Sequence, residues 1–283
     1  MASRLAALRK GLEERGYVGG NNISLEVRWG EGRYNHLHAL AAELVRSGVD
    51  ILVTHGTPGV RAAIAITATT PIVAITGDAL ATQLIDGLSR PGRNLTGLTF
   101  LSTELNAKRL EIVKDALPNV TRIAMLLNAS NSISNLVFQT VDGRAAAMRL
   151  SLRRYDFRDP SDLSARFSAM RKDGIEALIT NEDPLVVSNA KPIADLALKH
   201  KIALVAGSDL VNAGGLLSYA VNIPELFRRT AAFIDKILKG VPVTDLPVEL
   251  PTKFELTINL RTAKTLGISV PPTFVARADA VID

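Results

Sequence analysis

Asp50-Ile51-Leu52-Val53-Thr54-His55-Gly56-Thr57-Pro58 decides the fold, because Glu176-Ala177-Leu178-Ile179-Thr180-Asn181-Glu182-Asp183-Pro184 repeats its pattern without a gap. Each stretch reads as an acid, three apolar residues, a threonine, two variable residues, a residue of helix-capping type and a proline. The apolar triplet is strand-like. Proline suits the first turn of a helix, where its missing N–H is harmless, and Thr57 and Asp183 are of the types that accept hydrogen bonds from the free N–H groups there. Each copy is therefore a strand end running into a helix N-terminus. Free N–H groups and the positive end of the helix dipole make such a place favourable for a carboxylate or a hydroxyl.

A second pair follows in the same order. Ile72-Val73-Ala74-Ile75-Thr76-Gly77-Asp78 resembles Ile202-Ala203-Leu204-Val205-Ala206-Gly207-Ser208, and each half then has a glycine-bearing turn and one more strand, Thr96–Phe100 or Leu216–Tyr219. Working outward, the first half predicts a helix from about Ala2 to Gly16 and an alternating strand at Ile23–Trp29. Helices at Tyr34–Ser47 and Pro58–Thr67 flank a strand at Asp50–Val53. A strand at Pro71–Ile75 and a short helix near Gln83–Leu88 come next. The second half predicts helix Glu104–Ala116, strand Arg122–Leu127, helix Ser132–Met148, strand Leu150–Asp156 and helix Ser161–Lys172. Strand Ala177–Thr180, helix Leu185–Lys199, strand Ile202–Val205 and the short helix Asp209–Ala213 continue it. Helix Pro224–Lys239, short strands near Val248 and at Phe254–Ile258, and helix Leu260–Leu266 close the chain. Strands alternating with helices of this length make parallel sheets covered by helices on both faces, an α/β chain with ligands at the carboxyl ends of the strands.

The 283 residues suffice for two such lobes, each with its own core. There is no cysteine, which excludes disulfides, thiolate metal sites and cysteine nucleophiles. The net charge of +5 is spread along helices with acids interleaved, so no basic patch for nucleic acid is expected. No apolar run approaches the roughly 18 residues of a membrane span, and no signal-peptide core precedes the first helix. Glycine-rich phosphate loops and the nucleophile elbow of hydrolases are absent. His36 and His38, two apart on a helix, point to different faces rather than to one metal. His200 ends a helix. His55 alone stands in a strand-end turn, without a nucleophile beside it. Trp29, the only tryptophan, stands at the carboxyl end of its strand, where it is expected to pack, with stacking on a ligand as the alternative.

The sequence resembles a known family on many short stretches. They include Gly11-Leu12-Glu13-Glu14-Arg15-Gly16-Tyr17, Arg28-Trp29-Gly30-Glu31-Gly32-Arg33-Tyr34 and Arg90-Pro91-Gly92-Arg93-Asn94-Leu95-Thr96-Gly97. Gly214-Gly215-Leu216-Leu217-Ser218-Tyr219, Asp235-Lys236-Ile237-Leu238-Lys239-Gly240 and Pro251-Thr252-Lys253-Phe254-Glu255-Leu256 extend the likeness over nearly the whole chain. It is similar to the ABC-transporter substrate-binding proteins of the tryptophan/tyrosine-binding-like group. The resemblance implies a periplasmic-binding-protein-like fold: two Rossmann-like lobes with parallel sheets, joined by a hinge around a ligand cleft. It implies capture of a small solute for delivery to a membrane permease, with no enzyme activity, no catalytic residue and no cofactor. It also implies a periplasmic location and a first strand of lobe 1 that this chain lacks at its start. If Met1 is the true start, the location is cytoplasmic instead, and a ligand-sensing domain on the same fold is the alternative function.

On this reading residues 1–101 and 220–247 form lobe 1, residues 102–219 form lobe 2, and residues 248–283 cross back and finish the chain. The expected solute contacts stand at strand ends: Thr54, Gly56, Thr57, Thr76 and Asp78 in lobe 1, Asn128, Asn181, Asp183, Ser208 and Tyr219 in lobe 2, and Ser102 at the hinge. A helix cap is the competing role for Thr57 and Asp183, and a turn for Thr76 and Ser208. Backbone N–H groups and hydroxyls suit a carboxylate while Asp78 or Asp183 suits an amine, so an amino-acid-like solute is expected. No metal site is expected.

Overall fold

A computed structural model describes residues 2–283. The chain divides into two compact α/β units. The first runs up to Leu101 and resumes over Asn222–Thr252; the second comprises Ser102–Val221 and Lys253–Asp283.

In chain order the first unit begins with α1 (Ala2–Glu13), a 3-10 turn at Tyr34–His36 and α2 (Leu37–Arg46). Then come β1 (Leu52–His55), α3 (Thr57–Ile66), β2 (Ile72–Thr76) and β3 (Leu95–Thr99). The second unit contributes α4 (Ser102–Ala116), β4 (Arg122–Asn128), α5 (Ile133–Ala147), β5 (Ser151–Phe157), α6 (Asp162–Lys172) and β6 (Ala177–Thr180). It continues with α7 (Pro184–Ser188), α8 (Ala190–Lys199), β7 (Ala203–Ala206), α9 (Ser208–Asn212) and β8 (Leu217–Ala220). The long α10 (Ile223–Leu238) and the short β9 (Val248–Glu249) return to the first unit. Finally β10 (Glu255–Asn259), α11 (Leu260–Leu266), α12 (Pro272–Val275) and β11 (Ala280–Ile282) close the second.

The first unit holds a parallel sheet of order β1-β2-β3-β9. Ile72, Val73 and Ile75 of β2 are wholly buried, as expected of a strand covered on both faces. Gly97 in β3 has φ +131, and a Cβ there would overlap the main chain of Ala74. The Thr96 hydroxyl donates to the carbonyls of Leu246 (3.1 Å) and Pro247 (3.0 Å), tying the segment that leads into β9 to β3. Helix α1 lies on α10, where Gly11 leaves room for the carbonyl of Arg228. Tyr17 donates to Asp235 at 3.0 Å, and Arg228 pairs with Glu14 at 2.7 Å.

The second unit holds a seven-stranded sheet of order β11-β10-β8-β7-β6-β4-β5. Strands β4 to β8 are parallel and run 5-4-6-7-8, so the winding reverses between β4 and β6. Two cores cover the faces: Met125, Leu127, Ile179 and Val205 with α4 and α5, and Ala124, Leu126, Leu178 and Leu204 with α6 to α9.

Several elements differ from expectation. Ile23–Trp29 forms no named strand: Ile23, Leu25 and Val27 are half-buried and their neighbours exposed, but the ladder contact found there is the single Gly19–Ile23 bridge. The alternation of burial is a strand's, but a segment without a neighbouring ladder is not a stable strand. Trp29, expected to pack, is 43% exposed. The helix expected at Gln83–Leu88 is a series of turns, because Gln83 takes the left-handed conformation (φ +57) that a helix excludes. Helix Leu185–Lys199 divides at Asn189, whose amide bonds back to the Leu185 carbonyl at 2.8 Å. The sheet of the second unit is mixed: β10 runs antiparallel to β8, an arrangement that needs no crossover helix. Helix α12 and strand β11 were not foreseen.

Candidate functional site

In the first unit, Thr54, Gly56, Thr57 and Thr76 gather at the carboxyl ends of the adjacent strands β1 and β2. Gly56, not Thr57, occupies the cap of α3. It turns the chain at φ +82, and its N–H donates to the Ile75 carbonyl at 2.8 Å. Thr57 is the first helical residue, and its hydroxyl meets that of Thr76 at 3.2 Å, both buried. Thr54 sits against α3 at Gly59, where a Cβ would come within 2.6 Å of its hydroxyl. Asp78 is buried in the turn after β2 and accepts from the Ala81 N–H at 3.3 Å.

His55 ends β1. Its Nε2 is shut off from solvent and has no hydrogen-bond partner, and its ring tilts against Phe227 of α10 at 5.7 Å. Burial, and secondarily the charge of Arg4, push its pKa down to about 3, so the imidazole is neutral. His200, at the end of α8, is also lowered, first by burial and then by Lys199 and Arg171. The cationic imidazole, the form that would suit the negative end of a helix, is thereby disfavoured.

In the second unit, Asn128, Asn181 and Asp183 stand at the ends of β4 and β6, where the winding reverses; in open α/β sheets this is where ligands bind. Asp183 caps α7 by accepting from the N–H groups of Leu185 (2.8 Å) and Val186 (3.4 Å). It also accepts from the amides of Asn128 (3.2 Å) and Asn131 (2.7 Å). Asn128 in turn accepts from the Ser130 N–H at 2.9 Å. Asn181 is buried, and its Oδ1 has no partner. Ser208 is half-buried at the start of α9, whose cap is Gly207. The Tyr219 ring stacks on Phe254 at 5.7 Å. Ser102 follows the end of β3, begins α4 and is buried, with its carbonyl accepting from Asn106 at 2.7 Å.

Two residues outside the expected set complete this region. Arg109 of α4 is fully buried and donates to the carbonyls of Tyr219 (2.9 Å) and Thr180 (2.9 Å) and to Asn106 (3.2 Å). It also pairs with Glu182, whose other oxygen, Oε2, is buried without a partner. Glu182 stood in the sequence between two chosen residues, at a position that the internal repeat marks as variable. Arg109 stands among charges on a helix, and the signal for it is Leu105 and Leu110, whose burial shows that this part of α4 faces the core.

Among the described residues, the buried side-chain polar atoms without a partner are His55 Nε2, Thr180 Oγ1, Asn181 Oδ1, Glu182 Oε2 and Ser218 Oγ. Thr180 ends β6, and Ser218 pairs with Ala206, which ends β7. Every one of these atoms lies at, beside or just beyond the carboxyl end of a parallel strand. Buried polar groups are nearly always satisfied, so such a concentration marks a place that lacks a partner.

Known proteins are similar across this chain. A tyrosine-binding protein of Clostridioides difficile (strain R20291) is 26% identical over 263 residues, covering 92% of this chain and 75% of that one. A solved conserved domain protein from Vibrio cholerae is 26% identical with a TM-score of 0.93, over 99% of this chain and 94% of that one. The structure of an ABC domain from Streptococcus pneumoniae in complex with L-Trp matches in fold, with a TM-score of 0.92 at 23% identity, over 99% of this chain and 95% of that one. The family described as ABC transporter substrate binding protein matches residues 1–282, and the chain belongs to that family.

Proposed function

We propose that this protein captures an amino-acid-like solute with an aromatic side chain and passes it to the permease of an ABC importer on the outer side of the cytoplasmic membrane. One observation carries this reading: the unpartnered buried polar atoms gather at the strand ends where α/β sheets take ligands. The relatives add the class of solute, since one is a tyrosine-binding protein and another was solved with L-Trp. The contacts proposed are the groups around Thr54, Gly56, Thr57, Thr76 and Asp78 in one unit and around Asn128, Asn181, Ser208 and Tyr219 in the other. Asp183 supports them by holding Asn128 and Asn131. Binding and release, rather than bond chemistry, are the activity.

A thermal-shift series with L-tyrosine, L-tryptophan, L-phenylalanine, L-leucine and maltose tests it, because a ligand of the folded state raises the melting temperature with concentration. The aromatic amino acids are expected to raise it, with calorimetric titration confirming one site. A shift with maltose alone would sink the reading.

A further inference from the structure

We propose that Glu182 selects solutes that carry an amine, with its Oε2 as the acceptor for the solute ammonium and Arg109 as the residue that positions it. The inference rests on the amino-acid-like solute proposed above and assigns the amine to a residue outside the set expected from the sequence.

Glu182 and Arg109 are both removed from water, with side chains 6% and 0% exposed. A charge so buried needs compensation, and Arg109 supplies it to one carboxylate oxygen. Arg109 cannot turn to serve the other. Its guanidinium is also committed to the Tyr219 and Thr180 carbonyls and to Asn106, which fix it to the ends of β8 and β6. Glu182 lies close over Gly207, where a Cβ would come within 3.1 Å of Oε1. The result is a buried carboxylate with one oxygen bound and one without a donor.

The neighbouring groups point to a donor rather than an anion. Asn181 Oδ1 is a second buried acceptor without a partner, and the Thr180 hydroxyl is a third group able to accept. A solute carboxylate beside Glu182 would meet like charge. An ammonium brings three donors and forms a charge-assisted bond with a carboxylate. Of the two acids expected in this role, Asp78 and Asp183, Asp183 has both oxygens engaged by Leu185, Val186, Asn128 and Asn131, and Asp78 accepts from the Ala81 N–H in the turn after β2.

Matched pairs test the assignment: L-phenylalanine against 3-phenylpropionate, L-tyrosine against 3-(4-hydroxyphenyl)propionate, and L-tryptophan against indole-3-propionate. Affinities are measured by calorimetric titration on the wild-type protein and on Glu182→Gln, which keeps an acceptor for Arg109 but loses the charge. Loss of the amine should weaken wild-type binding by about tenfold to a hundredfold, the range for a hydrogen bond to a charged group. In Glu182→Gln the preference should shrink to a few-fold while the acid without the amine binds nearly as before. Should that variant fold poorly, Glu182→Asp, which withdraws the oxygens by one methylene, must also lower the preference. Equal wild-type binding of both members of a pair would overturn the assignment and leave the aromatic-solute reading standing. Unchanged preference in a folded Glu182 variant would overturn it too. Binding of neither member of any pair would overturn both.

Discussion

The Asn128 amide donates to Asp183 at 3.2 Å, joining the ends of β4 and β6, two parallel strands that neighbour each other in the sheet. This bond spans the point where the sheet's winding reverses, so the carboxylate that caps α7 also fixes the mouth of the second unit's candidate site. Capping and site construction are one interaction here. Of the two roles that the sequence left open for Asp183, the cap is present, and the same carboxylate orders its neighbours.

Replacing Asp183 by Ala should cost about 2–4 kcal/mol. It removes an N-cap worth about 1 kcal/mol and leaves the buried amides of Asn128 and Asn131 short of an acceptor, at about 1–3 kcal/mol. Urea denaturation followed by circular dichroism measures this, and a loss below about 1 kcal/mol would show that the two amides find other acceptors.

The Arg109–Glu182 pair should be asymmetric under mutation. Arg109→Met leaves Glu182 buried without its counter-charge and should cost about 3–5 kcal/mol. Glu182→Gln leaves Arg109 with its two carbonyls, Asn106 and an amide oxygen, and should cost clearly less. Denaturant midpoints of the two variants decide it; equal losses would contradict the geometry.

His55 predicts an acid-sensitive fold. Its folded pKa is about 3, against about 6.5 when unfolded, so between those values the unfolded state binds the extra proton. The stabilising contribution is complete above pH 6.5 and declines as pH falls from there towards 3, with a slope of up to about 1.4 kcal/mol per pH unit. Melting temperatures from pH 7.5 to 4.5 should fall more steeply for wild type than for His55→Gln. A proton NMR titration should show the His55 imidazole still neutral at pH 5; a midpoint near 6.5 would remove its part in the effect.

Gly97→Ala should be among the most damaging single-atom additions. The residue combines φ +131 with contact to the Ala74 backbone in the middle of the first unit's sheet. Strain and overlap together predict a loss of about 3 kcal/mol or more. Gly143→Ala, in α5 with open space around it, should be neutral or slightly stabilising. Comparing the two melting temperatures checks both.

Sequence by itself determined the α/β character and most elements, because the information is local. Apolar triplets of strand length, prolines in first helical turns and glycines after helices carry their meaning within a few residues, as Ala177–Thr180 and Leu260–Leu266 show by matching their expected bounds. It also placed the candidate site at strand ends, where the repeat puts Thr57, Asn181 and Asp183. Tertiary structure decided the rest. Whether Ile23–Trp29 forms a ladder depends on a neighbouring backbone that local pattern does not reveal. The direction of β10 depends on which strand it meets. The free oxygen of Glu182 and the saturated ones of Asp183 differ only because Arg109, Asn128 and Asn131 arrive from distant parts of the chain. Partners for buried polar groups come from distant segments, so which acid is left with an unpaired oxygen is a property of the fold and not of the residue type.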